Sequence, residues 1–175
     1  VYALAQYLLA TDDGSVLDAV VPFFDAVGTD HAERATVWGH AERALAVIAA
    51  RVIPDTHLVA YGHGDWNDSL QPADPAMRER LCSTWTVTLH HQTLASLAAA
   101  LRRLGRPDAA TPLDVAAAQV RADFAQRLLA DGELAGFAYF HSDGRVDHLL
   151  HPRDRDTGIH HRLLPMIHAI IADLL

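Results

Sequence analysis

One apolar stripe constrains this chain more than any other feature. Leu81, Trp85, Leu89, Leu94, Leu97, Leu101 and Leu104 recur at intervals of three to five residues, the spacing that lines up side chains on one face of an α-helix. The stripe starts after Asp74-Pro75, which reads as an N-cap with proline at the first helical position, and ends at Gly105, a helix stop. Its β-branched stretch, Thr84 to Thr88, is the part least suited to a helix. A helix this long and this one-sided has to bury its face against other helices.

The neighbouring segments supply them. A first helix is expected to run to about Ala10, stopped by Thr11-Asp12-Asp13-Gly14, and a short second one from Val16 to Phe24, limited by Pro22. A third carries Val37, Trp38, Ala41, Leu45 and Ile48 on one face, with Asp30 and Glu33 placed as a capping box and Pro54 beyond its end. A fourth starts at Thr111-Pro112, buries Leu113, Val120, Phe124 and Leu128, and stops before Gly132; a last one starts near Leu163. Leu58 to Tyr61 reads as a short strand, and Gly136 to Phe140 with Arg145 to Leu149 as a hairpin around Asp143-Gly144. The expected class is mainly α, built from helical hairpins, with a small β-hairpin set in a loop.

Composition agrees and narrows the partners. Half of the 175 residues are hydrophobic, many of them alanine, the best helix former. All 14 basic residues are arginines, and the formal charge is −8. A chain this acidic is a poor match for a nucleic acid backbone, which is held by clustered positive charge. Cys82 stands alone, so no intrachain disulfide forms, in keeping with a reducing compartment. No apolar run has the length of a membrane span, and a cytoplasmic protein is expected. Tyr2 to Leu9 already reads as mid-helix, and Ile167, Ile170, Ile171 and Leu174 run uncapped to the last residue. Residues 1–175 are therefore expected to be a single segment of a longer chain.

The segment Tyr61-Gly62-His63-Gly64-Asp65-Trp66-Asn67-Asp68-Ser69-Leu70-Gln71-Pro72 carries the most chemistry. It sets two carboxylates, a carboxamide and an indole in a loop between regular elements, where binding and catalytic groups concentrate. An indole face suits the apolar face of a sugar ring, and Asp and Asn suit its hydroxyls. A carboxylic acid desolvated beside Trp66 holds its proton to higher pH and becomes able to protonate a glycosidic oxygen. The same residues also suit a turn whose side chains bond their own backbone. Composition alone does not separate the two readings.

The run Gly64-Asp65-Trp66-Asn67-Asp68 resembles the catalytic loop of the inverting glycoside phosphorylases of glycoside hydrolase family 94. The continuation to Pro72 and Ala73-Asp74-Pro75, then Ser83-Thr84-Trp85-Thr86-Val87, is most similar to the branch of that family that acts on β-1,2-linked glucans. Leu150-His151-Pro152, Thr157-Gly158-Ile159 and Leu163-Leu164-Pro165-Met166 resemble the same branch. The similarity takes in nearly all of this chain but a minority of a family member. The resemblance implies an (α/α)6 barrel, of which residues 1–175 would be part. It implies Asp68 as general acid, Trp66 lining the subsite for the non-reducing-end sugar, and Asp65 shaping that subsite, with Asn67 beside them as a substrate-binding group. Ser69 stands where cellobiose phosphorylases have glycine, which leans away from cellobiose.

The implied reaction is reversible phosphorolysis of β-linked gluco-oligosaccharides to α-glucose 1-phosphate, with inorganic phosphate as co-substrate and no other cofactor. It explains a single strong acid candidate. An inverting hydrolase needs an acid and a base about 6.5–9.5 Å apart, because water must be activated; phosphate is already an anion. The family's phosphate ligands match no segment here, so this chain by itself is expected to hold an incomplete site. An inverting hydrolase on a similar barrel, which would need a second carboxylate, and a non-catalytic helical interaction module are the alternatives.

Other motifs carry less. A calcium loop on Asp65, Asn67 and Ser69 fails because Leu70 and Ala76 stand where glycine and a bidentate glutamate are needed. Among the 12 histidines, His148, His151, His160 and His161 are near in sequence. No His-Glu-x-x-His pattern appears, and no metal is expected. Trp38 and Trp85 read as core, Cys82 as an inert thiol, and Arg102-Arg103 as complements to their helix dipole. Arg153 and Arg155 suit either an anion or a solvated loop.

Overall fold

Glycine and proline set the ends of the central helical hairpin. The computed structural model describes residues 1–24, 33–62 and 74–175. Helix α3 (Thr84–Arg103) ends where Gly105, at φ +71°, turns the chain away. Arg106 N–H reaches back to the Leu101 carbonyl at 2.8 Å, and Gly105 N–H to that of Arg102 at 3.0 Å. This pair of reversed bonds is the Schellman closure that glycine makes inexpensive. Pro107 then opens α4 (Pro107–Arg127) at its first position. The start expected at Thr111-Pro112 is corrected: Pro112 lies inside α4, where its missing N–H forgoes one helical bond.

Helix α3 is the hub. It packs on α4, on α1 (Tyr2–Thr11) and on α5 (Leu163–Ile171). Its buried face includes His91 and runs through Val87, Leu94, Leu97, Ala98 and Leu101, and these five join Leu8, Leu17, Phe124 and Leu128 in one core. Trp85 and Leu89, expected inward, are half-buried; Trp85 meets the His168 ring of α5 edge-on. Trp38, on α2 (Val37–Ala49), packs partly buried against the core as expected. The mainly α expectation holds. None of the helices is long and apolar enough to cross a membrane, among the described residues.

Three local expectations are revised. The apolar stripe does not begin as helix at Pro75: Pro75–Glu79 is a 3-10 turn capped by Asp74, and Leu81–Ser83 is strand β3. The reason is tertiary, because β3 pairs antiparallel with β6 (Phe137–Phe140), Cys82 opposite Ala138. Val16 to Phe24 is not a helix; a 3-10 turn, Gly14–Asp18, leads into β1 (Val20–Pro22), which pairs with β2 (Arg34–Thr36). Consequently α2 is capped by Thr36, whose hydroxyl accepts the Gly39 N–H at 3.0 Å, and Glu33 precedes the strand. Asp30 lies outside the described residues.

The predicted hairpin is present. Strand β6 turns through Gly144, at φ +86°, into β7 (Val146–Leu149), giving the sheet order β3-β6-β7. A second small hairpin, β4 (Leu129–Ala130) with β5 (Glu133–Leu134), follows α4. Alternation along β6 divides the interior. Ala138 and Phe140 belong to the helical core, whereas Phe137 and Tyr139 join Leu81, Tyr61 and Leu150 in a separate cluster. Gly136 makes that cluster possible, since a Cβ there would lie 2.8 Å from Leu150 Cβ.

Candidate functional site

Asp65, Trp66, Asn67 and Asp68 fall in residues 63–73, outside the described residues. What the structure describes is how both roots of that segment are held. The chain enters through a tight turn, with Ile53 N–H bonded to the Leu58 carbonyl at 2.9 Å, Ala60 N–H to that of Arg51 at 2.8 Å, and Val52 bridged to Val59. Leu58 to Tyr61 therefore forms a bridge and not the strand expected. Tyr61 N–H then donates to the Leu81 carbonyl at 2.6 Å, and Gly62 N–H to that of Arg78 at 2.9 Å. Gly62 sits at φ +64°, a left-handed geometry suited to glycine. The Tyr61 ring packs toward Phe137, centroids 6.2 Å apart. On the exit side Asp74 accepts the Ala76 N–H at 2.8 Å.

Asp123 of α4 steadies the entry turn. It is 8% exposed; its Oδ2 accepts the His57 backbone N–H at 2.6 Å and faces His57 Nδ1 at 3.1 Å, while Arg127 Nε approaches its Oδ1 at 3.3 Å. A second buried carboxylate, Asp154, organises the segment after β7. It accepts from Leu150 N–H at 2.7 Å, Asp156 N–H at 2.9 Å, Thr157 N–H at 3.0 Å and the Thr157 hydroxyl at 2.6 Å. Burial raises the Asp154 pKa, but these hydrogen bonds outweigh it and leave the carboxyl below its ordinary value.

Two clefts open at the roots. One, of about 450 Å³, is lined by Arg51, Pro54, Gly62, Arg78, Glu79 and Arg80 among others. The second, of about 570 Å³, lies between the Pro75–Glu79 turn and the β6–β7 hairpin, and shows Arg80, Glu79, Tyr139, His141 and Ser142. At its edge His141 Nε2 sits 2.6 Å from Asp147 Oδ2, and Arg145 donates to the other oxygen of that carboxylate at 2.6 Å. Sequence reasoning missed Arg51, Arg78, Arg80 and Tyr139. The alternation Arg78-Glu79-Arg80 just after the Asp65–Asp68 run was a usable signal; Arg51 and Tyr139 arrive only through the fold.

Several of the remaining candidates have structural partners. His151 is fully buried, with Nε2 at 3.1 Å from the Ala130 carbonyl and Nδ1 accepting Arg153 N–H at 3.1 Å; His148 Nε2 lies 2.9 Å from the Arg127 carbonyl. No three His, Cys, Asp or Glu side chains converge as metal ligands among the described residues. Arg153 forks onto Asp131 at 2.6 and 2.5 Å. Arg103 caps the neighbouring helix rather than its own, donating to the Leu9 carbonyl at 3.0 Å and to Asp12 at 2.6 Å. Burial pushes the Cys82 thiol up to about 12, as befits an inert side chain.

No protein-family model matches the chain. Its sequence is nevertheless similar, over almost its entire length, to a glycoside phosphorylase of glycoside hydrolase family 94, in line with the resemblance read from the Gly64–Asp68 run. The relative in question is a 1,2-beta-oligoglucan phosphorylase of Listeria innocua, 34% identical over 173 residues. The alignment takes in 98% of this chain and 15% of that protein, so the chain spans about 15% of the length of the relative it matches.

Proposed function

We propose that the polypeptide carrying this chain phosphorolyses β-1,2-linked gluco-oligosaccharides, with inversion, to α-glucose 1-phosphate. Asp68 is the general acid, Trp66 the platform for the sugar at the non-reducing end, and Asp65 and Asn67 its hydroxyl partners. The observation that carries the reading is similarity over 98% of the chain to a 1,2-beta-oligoglucan phosphorylase, together with the intact Gly64-Asp65-Trp66-Asn67-Asp68 run.

The chemistry requires one proton and one anion. Asp68 donates its proton to the glycosidic oxygen as that bond breaks, and a phosphate oxygen bonds to the anomeric carbon from the opposite face. The anion needs no base to activate it, so a second catalytic carboxylate has no task. The hairpin of α3 and α4 supports placing these residues in an (α/α)6 barrel, completed by parts of the polypeptide beyond residues 1–175. Inorganic phosphate is the co-substrate, no further cofactor is invoked, and a cytoplasmic location fits a reaction that consumes phosphate.

The test is to incubate the complete polypeptide with β-1,2-gluco-oligosaccharides, with and without inorganic phosphate, and to measure α-glucose 1-phosphate. Product formation only with phosphate is expected. Chain cleavage at the same rate without phosphate would replace this reading with the hydrolase.

A further inference from the structure

Asp123 buries a carboxylate on a helix that otherwise turns apolar side chains inward. Val120 and Phe124, close to it on α4, belong to the core, and Asp123 itself is 8% exposed. Taking a charge out of water costs more than burying an apolar group of similar size. A buried carboxylate whose oxygens are bonded supplies orientation instead, because it holds its partners rigidly. Both oxygens serve one turn. Oδ2 accepts the His57 N–H at 2.6 Å, and Oδ1 receives Arg127 Nε at 3.3 Å. Arg127 extends the grip to that turn, donating from Nη2 to the Asp55 carbonyl at 3.1 Å.

The turn passes the constraint along the chain. Asp55 sits at φ +61°, a left-handed geometry uncommon outside glycine. Thr56 Oγ1 donates to the Ile53 carbonyl at 2.8 Å and accepts the Leu58 N–H at 3.1 Å, while Ile53 and Leu58 are fully buried. Ala60, Tyr61 and Gly62 follow, with N–H groups bonded to the carbonyls of Arg51, Leu81 and Arg78 at 2.8, 2.6 and 2.9 Å. Residue 63 comes next. Catalytic groups tolerate little displacement: a shift of about 1 Å costs on the order of a hundredfold in rate. Holding them to within about 0.5 Å is the task of side chains behind the site.

We propose that Asp123 is a positioning residue: through its bond to the His57 backbone it fixes where the chain enters residues 63–73, and so the aim of Asp68. The anchoring stands on the geometry of α4 and the turn; its consequence for turnover rests on the proposed phosphorolysis.

The test compares wild type with Asp123→Ala in the complete polypeptide by two measurements, steady-state phosphorolysis of β-1,2-gluco-oligosaccharides and amide hydrogen exchange of residues 57–62. The variant should exchange those amides about tenfold faster and lose about tenfold in kcat, with KM changed by less than about threefold. Asp123→Asn, whose carboxamide oxygen still accepts the His57 N–H, should keep kcat within about threefold of wild type; a value no better than alanine's would overturn the bond as the means of positioning. Leu101→Ala, fully buried on α3 outside this network, controls for general loss of stability, and an equal fall in its kcat would overturn the assignment. If Asp123→Ala loses its unfolding transition, Asp123→Ser, polar but too short to reach the same N–H, should show the same losses. Unaltered kcat in a folded alanine or serine variant would overturn the proposal. A wild-type polypeptide that never phosphorolyses glucans would remove the proposed function and leave exchange to judge the anchoring: faster exchange in the variant upholds it, and unaltered exchange overturns it.

Discussion

Asp123 Oδ2 and the backbone N–H of His57 stand 2.6 Å apart although 66 residues separate them in sequence. The bond fastens the C-terminal part of α4 to the turn that delivers the chain into residues 63–73. Asp123→Ala would leave the His57 N–H without its acceptor and Arg127 without its carboxylate. Removing one partner of a buried bond costs about 1–3 kcal/mol. Urea unfolding should show a loss of that size, and an unchanged midpoint would mean the clamp contributes nothing.

Asp68→Asn keeps the size of the side chain and removes its proton. In the complete polypeptide, turnover of β-1,2-gluco-oligosaccharides should fall by about a hundredfold or more, the range of general acid catalysis, while oligosaccharide affinity stays close to wild type. A variant that retains turnover would move the acid elsewhere.

Acid should destabilise this chain in two windows. Burial, and secondarily the charge of His91, lowers the His90 pKa from 6.5 to about 4. Between those values the unfolded chain takes up a proton that the folded chain refuses. Stability is therefore full above pH 6.5 and declines as pH falls toward 4, by at most about 3 kcal/mol. Asp154 acts at lower pH. Its carboxyl lies below 3.8 in the fold, so its stabilisation is present above that value and disappears as pH falls through the folded pKa. His90→Leu, facing the apolar groove of Leu45, Leu94 and Leu113, should flatten the upper window in pH-dependent unfolding. Persistence of that slope would show that another group titrates.

Gly136→Ala would bring a Cβ within 2.8 Å of Leu150 Cβ. Leu150 has little room to retreat, since it is buried and at φ +52°. A thermal unfolding loss equivalent to about 1–3 kcal/mol is expected from this overpacking. The double variant Gly136→Ala/Leu150→Ala should cost less than the sum of the single changes, because the clash is relieved; strict additivity would deny that the two residues are in contact.

Cys82 should resist thiol reagents at pH 8, with its thiol pushed up to about 12 by burial in β3. Labelling monitored by mass is expected only as fast as the chain unfolds. Rapid modification of the native protein would show that β3 opens.

Some of this was legible from residues alone, and the difference follows from range. The helix stop at Gly105, the hairpin turn at Asp143-Gly144 and the cap at Asp74 act within a few residues of themselves, so their outcomes could be read directly. The Gly64–Asp68 run was informative through its resemblance to a known catalytic loop, because its residue types alone suit a self-bonded turn as well as a sugar site. It was read without any geometry.

What the tertiary structure decided lies across long separations. Leu81 to Ser83 has helical spacing yet becomes a strand, because its partner, Phe137 to Tyr139, offers backbone bonds more than fifty residues away. Arg51 joins Arg78 and Arg80, and Asp123 finds His57, only once α2, α4 and the entry turn have packed. Local conformational preference is written into the amino acids one by one. Which distant charges meet depends on how the helices pack, which no single stretch of sequence expresses.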